Sequence, residues 1–218
     1  MGLKLELHNL QCERDDRILF SGLNAVFSAG EVIQIEGPNG SGKTTLLRVL
    51  TTLSSDYSGD ILFNEQPFSQ AKFEFLSNLL FLGHAPGVKK SLTPLENLLW
   101  YQRAAGVVSK ENLMNALAAV GLAGYEDVAC FQLSAGQQRR VALARLYFDP
   151  SPLWILDEPF TAIDKKGVAA LEALIEKRAL AGGIVILTTH QDMAFEGLRK
   201  IDLRDYRTQT TMAYEAAQ

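Results

Sequence analysis

The chain has 218 residues, 47% hydrophobic and 21% charged, the balance of a globular protein long enough to bury a sizeable core. Its net charge of −4 gives no overall basic footprint of the kind that holds nucleic acid, so no nucleic-acid partner is expected. Cys12 and Cys130 fit no metal or redox spacing, which points to buried reduced thiols.

Residues 3–8 alternate apolar and polar and read as a strand. Asp15-Asp16 marks a turn, a second run starts at Ile18-Leu19-Phe20, and Leu23 to Phe27 alternates again, so the chain opens as a small antiparallel sheet. Val32–Ile35 is an apolar strand, and Thr45 to Leu53 carries a helical pattern. Ser54 to Gly59 reads as a turn before a short strand at Asp60–Phe63. After a strand at Leu79–Leu82, helical periodicity takes over. One helix runs from Pro94 to Tyr101 behind Thr93, and a second is capped by Ser109 and ended by Gly121. Ala135 to Phe148 is helical, Leu153–Leu156 is a buried strand, and Asp164 opens a helix that reaches Leu180. Ile184–Leu187 is another buried strand, and the stretch from Lys200 offers a short strand or two and an unstructured end. The alternation predicts an α/β fold: a mainly parallel core sheet, an N-terminal antiparallel β-subdomain and an inserted helical subdomain. The expected division is 1–84 and 136–218 for the core and about 85–135 for the insertion.

Glu6 sits where a signal peptide needs an apolar core. No stretch supplies the roughly 18 to 20 apolar residues that span a bilayer. The expectation is a cytoplasmic protein with no direct membrane insertion, reaching any membrane through a partner.

Three motifs carry chemistry. Gly37-Pro38-Asn39-Gly40-Ser41-Gly42-Lys43-Thr44 lies between a strand and a helix, where glycines let backbone N–H groups converge on a phosphate. Lys43 would reach the β- and γ-phosphates, and the Thr44 hydroxyl would ligate Mg²⁺. Asp157-Glu158 follows an apolar strand. Asp157 is placed to organise Mg²⁺ through a bound water, and Glu158 to orient or deprotonate an attacking water. Leu133-Ser134-Ala135-Gly136-Gln137 opens a helix and makes a second anion site, with Ser134 and Gln137 able to form a capping box.

In this order and spacing the motifs resemble those of the ATP-binding cassette (ABC) ATPases, over the whole chain. Gly37–Thr44 looks like the Walker A loop, Leu153–Glu158 like the Walker B strand with its glutamate, and Leu133–Gln137 like the signature motif with Ala135 in place of a glycine. Ala162-Ile163-Asp164 resembles the D-loop, and His190 after Leu187-Thr188-Thr189 the switch histidine. The resemblance implies an ATPase with ATP and Mg²⁺ as cofactors. Glu158, His190 and Lys43 would be catalytic, and Thr44 and Asp157 would hold the metal. Gly37 to Thr44 and Thr45 would contact nucleotide. It also implies a partner: two cassettes pair head to tail, and Ser134, Gly136 and Gln137 of one complete the ATP site of the other.

Besides Ala135, two departures from the family carry weight. No aromatic residue stands at the turn Cys12-Glu13-Arg14-Asp15 to stack on adenine, which leaves the Arg14 guanidinium for that place. His84 occupies the position of a glutamine that normally joins the metal site to the membrane partner. Imidazole suits Mg²⁺ poorly, so His84 is expected to act through a water or the partner surface. Phe81 to Gly87 together with Glu36 to Gly40 resembles one branch in particular, the ATPase subunits of bacterial cytochrome c maturation. That branch implies a peripheral location on the cytoplasmic face of the inner membrane and small integral-membrane partner subunits. ATP would drive haem export or release of a haem-loaded chaperone. The alternative is the cassette of another small exporter. A soluble ABC protein of DNA or the ribosome fits less well, because neither a long coiled coil nor a second cassette is present. A non-hydrolysing module fits poorly with Lys43, Asp157, Glu158 and His190 all in place.

Overall fold

The computed structural model describes residues 2–15, 17–105, 108–193 and 197–207. The first two strands, β1 (Lys4–Arg14) and β2 (Arg17–Ser28), pair antiparallel with register shifts around Asn9. Asn9 takes a positive φ of 48° there, and its N–H donates to Asn24 Oδ1 at 2.8 Å. The two runs read separately at Ile18 and Leu23 are thus one bulged strand. Asp16, half of the expected turn, lies outside the described residues, as does 208–218, the expected unstructured end.

β3 (Val32–Glu36) leads through the glycine loop into α1 (Lys43–Leu50). This helix starts and stops earlier than the apolar pattern predicts, because Thr52 adopts φ 58° and leaves Leu53 exposed. β4 (Tyr57–Phe63) also begins within the expected turn. Pairing of Gln11 with Ser58 and Cys12 with Tyr57 overrides the turn-like composition. The two-residue β5 (Gln66–Pro67) and α2 (Phe68–Ser77) were not expected. Phe68, Ala71 and Phe75 give α2 a buried stripe, but the exposed Phe73 and Leu76 blur it, and Pro67 supplies no side-chain cap.

β6 (Leu79–Leu82) precedes α3 (Pro94–Ala105) and α4 (Lys110–Ala119), whose N-cap Ser109 accepts from Asn112 N–H at 3.2 Å. α5 (Ala135–Ala144) is shorter than expected and tightens into a 3-10 turn over Arg145–Tyr147 before Pro150. β7 (Leu153–Asp157), α6 (Lys165–Leu180), β8 (Ile184–Thr188) and β9 (Leu198–Asp202) follow.

The strands form two sheets: antiparallel β2-β1-β4-β5, and parallel β6-β7-β8-β3-β9. β7 shows why the parallel strands read as unbroken apolar runs. Leu153 and Ile155 pack into a core shared with the antiparallel sheet and α1, while Trp154 and Leu156 pack against α5 and α6 on the other face. A third cluster, including Leu95, Leu98, Leu113, Leu117 and Val141, joins α3 and α4 to α5. Among the described residues no helix is long and apolar enough to cross a membrane.

Candidate nucleotide site

In a parallel sheet the strands deliver their C-terminal ends to one edge, where ligands bind. Here β7, β8 and β3 lie side by side, with Thr188 paired to Asp157 on one side and to Ile35 on the other. The glycine loop leaves β3 and the carboxylates leave β7, so β8 and Thr188 stand between them.

The loop's shape requires glycine at two places. A Cβ on Gly37, at φ 139°, would lie 2.5 Å from Ser41 Oγ. One on Gly42, at φ 100°, would press on Leu19 and Phe20 at 3.1 Å. Gly42 is also the N-cap of α1 and offers no side chain, so the first N–H groups of the helix have no side-chain acceptor. Lys43 Nζ folds back over the loop and donates to the carbonyls of Gly37 at 2.7 Å and Pro38 at 3.2 Å. Ser41 Oγ is buried and has no partner among the described residues, an orphan hydroxyl inside the cradle.

Opposite, Asp157 is only 2% exposed. Its Oδ1 accepts from Thr188 Oγ1 at 2.7 Å and from Thr44 Oγ1 at 3.4 Å. Two hydroxyls are meagre compensation for a buried carboxylate. Together these hard oxygens make the donor set that Mg²⁺ uses, one carboxylate and a hydroxyl with phosphates supplying the rest. Among the described residues no group of three His, Cys, Asp or Glu forms a self-sufficient metal cage.

Glu158 adopts φ 49°, a left-handed conformation that costs a non-glycine residue about 1–2 kcal/mol. Its N–H is held by Thr188 O at 3.1 Å and Thr188 Oγ1 at 3.0 Å. The kink separates the Glu158 side chain from that of Asp157. Glu158 Oε1 lies 3.6 Å from Nε2 of the largely exposed His190.

A cleft of about 470 Å³ joins these groups. It gathers Pro38, Asn39, Gly40, Gly42, Lys43, Thr44 and Thr45 with Asp157, Glu158 and His190. Gly37 and Ser41 shape the loop from behind. His84 also lines the cleft, and Arg14 and Leu19 of the β1–β2 hairpin contribute to it, with no Phe, Tyr or Trp among the described lining residues. Ser134, Gly136 and Gln137 are not brought into it. They open α5, where Gln137 N–H donates to Ser134 Oγ at 3.2 Å and Ser134 N–H to Gln137 Oε1 at 2.9 Å. Both side chains serve the helix cap of their own chain, and Ser134 remains exposed.

Two residues of the site escape sequence reading. Thr188 is completely buried and holds both Asp157 and Glu158. Its one signal is a hydroxyl ending an otherwise apolar strand. Thr188→Val keeps the shape and removes both bonds. We expect it to lower stability by about 1–3 kcal/mol, read as a reduced urea midpoint at unchanged slope. Arg139 is the other. Position 139 falls on the buried stripe of α5, in step with Ala142, Leu143 and Leu146, where a guanidinium is out of place. It donates to the carbonyls of Gly83 (2.6 Å), Asp157 (2.9 Å), Glu158 (3.0 Å) and His84 (3.5 Å). Burial pulls its pKa below the ordinary arginine value, and the charges of Asp157 and Glu158 oppose that.

A glycine cradle, the Thr44 hydroxyl on the buried Asp157 carboxylate and a glutamate beside a histidine define a nucleotide-hydrolysing cassette. Residues 20–161 match the family profile of the ABC transporter. The chain belongs to the ABC transporter family and hydrolyses ATP as an ABC-type cassette. More particularly, it is similar to the cytochrome c biogenesis ATP-binding export protein CcmA. It is 56% identical to that of Hahella chejuensis over 200 residues, 91% of this chain and 95% of the relative. To that of Vibrio cholerae it is 54% identical over 204 residues, covering 92% and 99%. Its fold resembles, with TM-score 0.72 and 25% identity, a dimeric ATP-binding cassette in a post-hydrolysis state bound to ADP and phosphate, covering 86% of this chain and 88% of that one.

Proposed function

We propose that this protein is the ATP-hydrolysing subunit of a membrane export complex in cytochrome c biogenesis. The observation that carries the hydrolytic part is the Glu158–His190 pair, 3.6 Å apart in the cleft that the phosphate loop lines. The likeness to CcmA over nearly the whole length of both chains supports the biological part.

The loop backbone from Gly37 to Lys43 cradles the phosphates, and Lys43 exchanges its loop carbonyls for phosphate oxygens. Thr44 and Asp157 would hold Mg²⁺, which supplies positive charge against the phosphates when bound. Glu158 orients a water and takes its proton as the oxygen attacks the γ-phosphorus, and the bond from that phosphorus to the β–γ bridging oxygen breaks to release ADP. His190 holds Glu158 and the phosphate end in place. Ser134, Gly136 and Gln137 of a second copy close the far side of the nucleotide. The γ-phosphate is therefore the difference between closed and open pairs, and its loss reopens them. Integral-membrane subunits read that cycle from the cytoplasmic face of the membrane, with His84 in the linking loop. In this reading Arg14 takes the place beside the base.

The test is genetic and chemical together. Cells lacking this protein are expected to make c-type apocytochromes without attached haem, and the intact gene should restore haem-stained bands on a denaturing gel. Normal haem attachment in the deletion strain refutes the biological assignment.

A further inference from the structure

Arg139 connects three pieces of backbone that carry different parts of the cycle. It sits in α5, five residues after Ser134, or roughly 7.5 Å along the helix axis. Its Nη2 donates to the carbonyls of both Asp157 and Glu158, and its Nη1 to Gly83 and, at 3.5 Å, to His84 in the loop after β6. Arg139 is 6% exposed and its bond to the Asp157 carbonyl is buried, so that carbonyl has no ready water to turn to if the guanidinium leaves. A planar fork with fixed donor directions couples positions more tightly than a flexible ammonium does.

We infer that Arg139 is a positioning residue that links the helix start facing a second copy's nucleotide to the Asp157-Glu158 backbone of its own chain. It makes the two ATP sites of a pair interdependent. This rests on the two-cassette reading proposed above. Engagement of Ser134 and Gly136 by the second copy's phosphate sets the position of α5. Arg139 passes that position to the carbonyl of Glu158, whose side chain orients water in the first site, and to the His84 loop. The route is one rigid helix and one buried side chain, touching no ligand. Displacement of a catalytic group by about 1 Å costs on the order of 10²-fold in rate.

The experiment uses the intact complex purified from membranes, with ATPase rate measured against ATP concentration and binding followed separately with a fluorescent ATP analogue. Arg139→Ala is expected to lower kcat at least tenfold, to leave analogue affinity within threefold, and to bring the Hill coefficient from above 1 to 1. Arg139→Lys, which keeps the charge and loses the fork, should fall between. Arg145→Lys is the structural control. Arg145 lies just beyond the same helix, stacks on Tyr101 at 3.7 Å and donates to Phe81 O at 3.4 Å, but makes no hydrogen bond to Asp157 or Glu158. It should lower melting temperature without changing the Hill coefficient. Equal kinetic losses in the Arg145 and Arg139 variants overturn the inference. So does an Arg139→Ala enzyme with wild-type kcat and cooperativity, or failure of both Arg139 variants to fold. A wild-type complex with a Hill coefficient of 1 refutes the coupling and leaves the hydrolytic function standing. One that does not hydrolyse ATP refutes the function itself.

Discussion

Glu158→Gln is expected to stop turnover and hold two chains together around ATP. Glutamine keeps the length and planarity of the side chain but cannot accept a proton from water, and general-base assistance is worth 10²–10⁴-fold in rate. A loss of about that size in kcat is expected. The backbone need not change. The strained φ of 49° and the paired bonds from the Glu158 N–H to Thr188 involve only main chain and the threonine hydroxyl. Losing the negative charge also removes repulsion between the glutamate and the γ-phosphate, so the bound state before hydrolysis gains stability. The readout is size-exclusion chromatography with ATP: the variant should run as a dimer with ATP and as a monomer with ADP. A variant that stays monomeric at saturating ATP would refute the sandwich arrangement, whatever its rate.

Lys43→Ala addresses the other wall. The ammonium is held by two loop carbonyls, at 2.7 and 3.2 Å. The contact to Pro38 is exposed and that to Gly37 half-buried, so their removal leaves carbonyls that water can reach, and the fold should survive. Nucleotide binding should not. Each charge-assisted hydrogen bond to phosphate is worth about 1.5–3 kcal/mol, and two of them correspond to a loss of affinity of at least on the order of 10²-fold. Equilibrium titration with ATP and with AMP separates the effects. Affinity for the triphosphate should collapse, while AMP, which lacks β- and γ-phosphates, should bind as weakly as before. Unchanged ATP affinity would remove Lys43 from the cradle.

Much of the arrangement is legible in the sequence, where residue chemistry and local spacing coincide. The loop 37–44 announces itself because glycines, lysine and threonine stand between a β-branched strand and a helical pattern. Asp157 and Glu158 are legible because two acids follow four apolar residues. The missed parts are those decided by distant contacts. α2 is hidden because Phe73 and Leu76 face outward, and the early start of β4 comes from pairing with β1, some 45 residues away in sequence. Thr188 and Arg139 act through backbone groups of residues that only the folded sheet brings beside them. No spacing rule reports a side chain that serves carbonyls. Arg139 did leave a trace, a charge inside an apolar stripe, and reading such a breach as a demand for buried acceptors would have found it.

The order of the parallel strands has a metrical consequence. β3 and β7 are separated by β8, and two strand spacings put their backbones roughly 10 Å apart. The backbone ladder fixes that spacing, and side chains span it, with Thr44 Oγ1 lying 3.4 Å from Asp157 Oδ1. The reach from the loop to the carboxylates is therefore set by side chains mounted on a fixed frame. The sheet thus acts as a gauge that holds the two walls of the site at a spacing their side chains, and not the strands, must bridge.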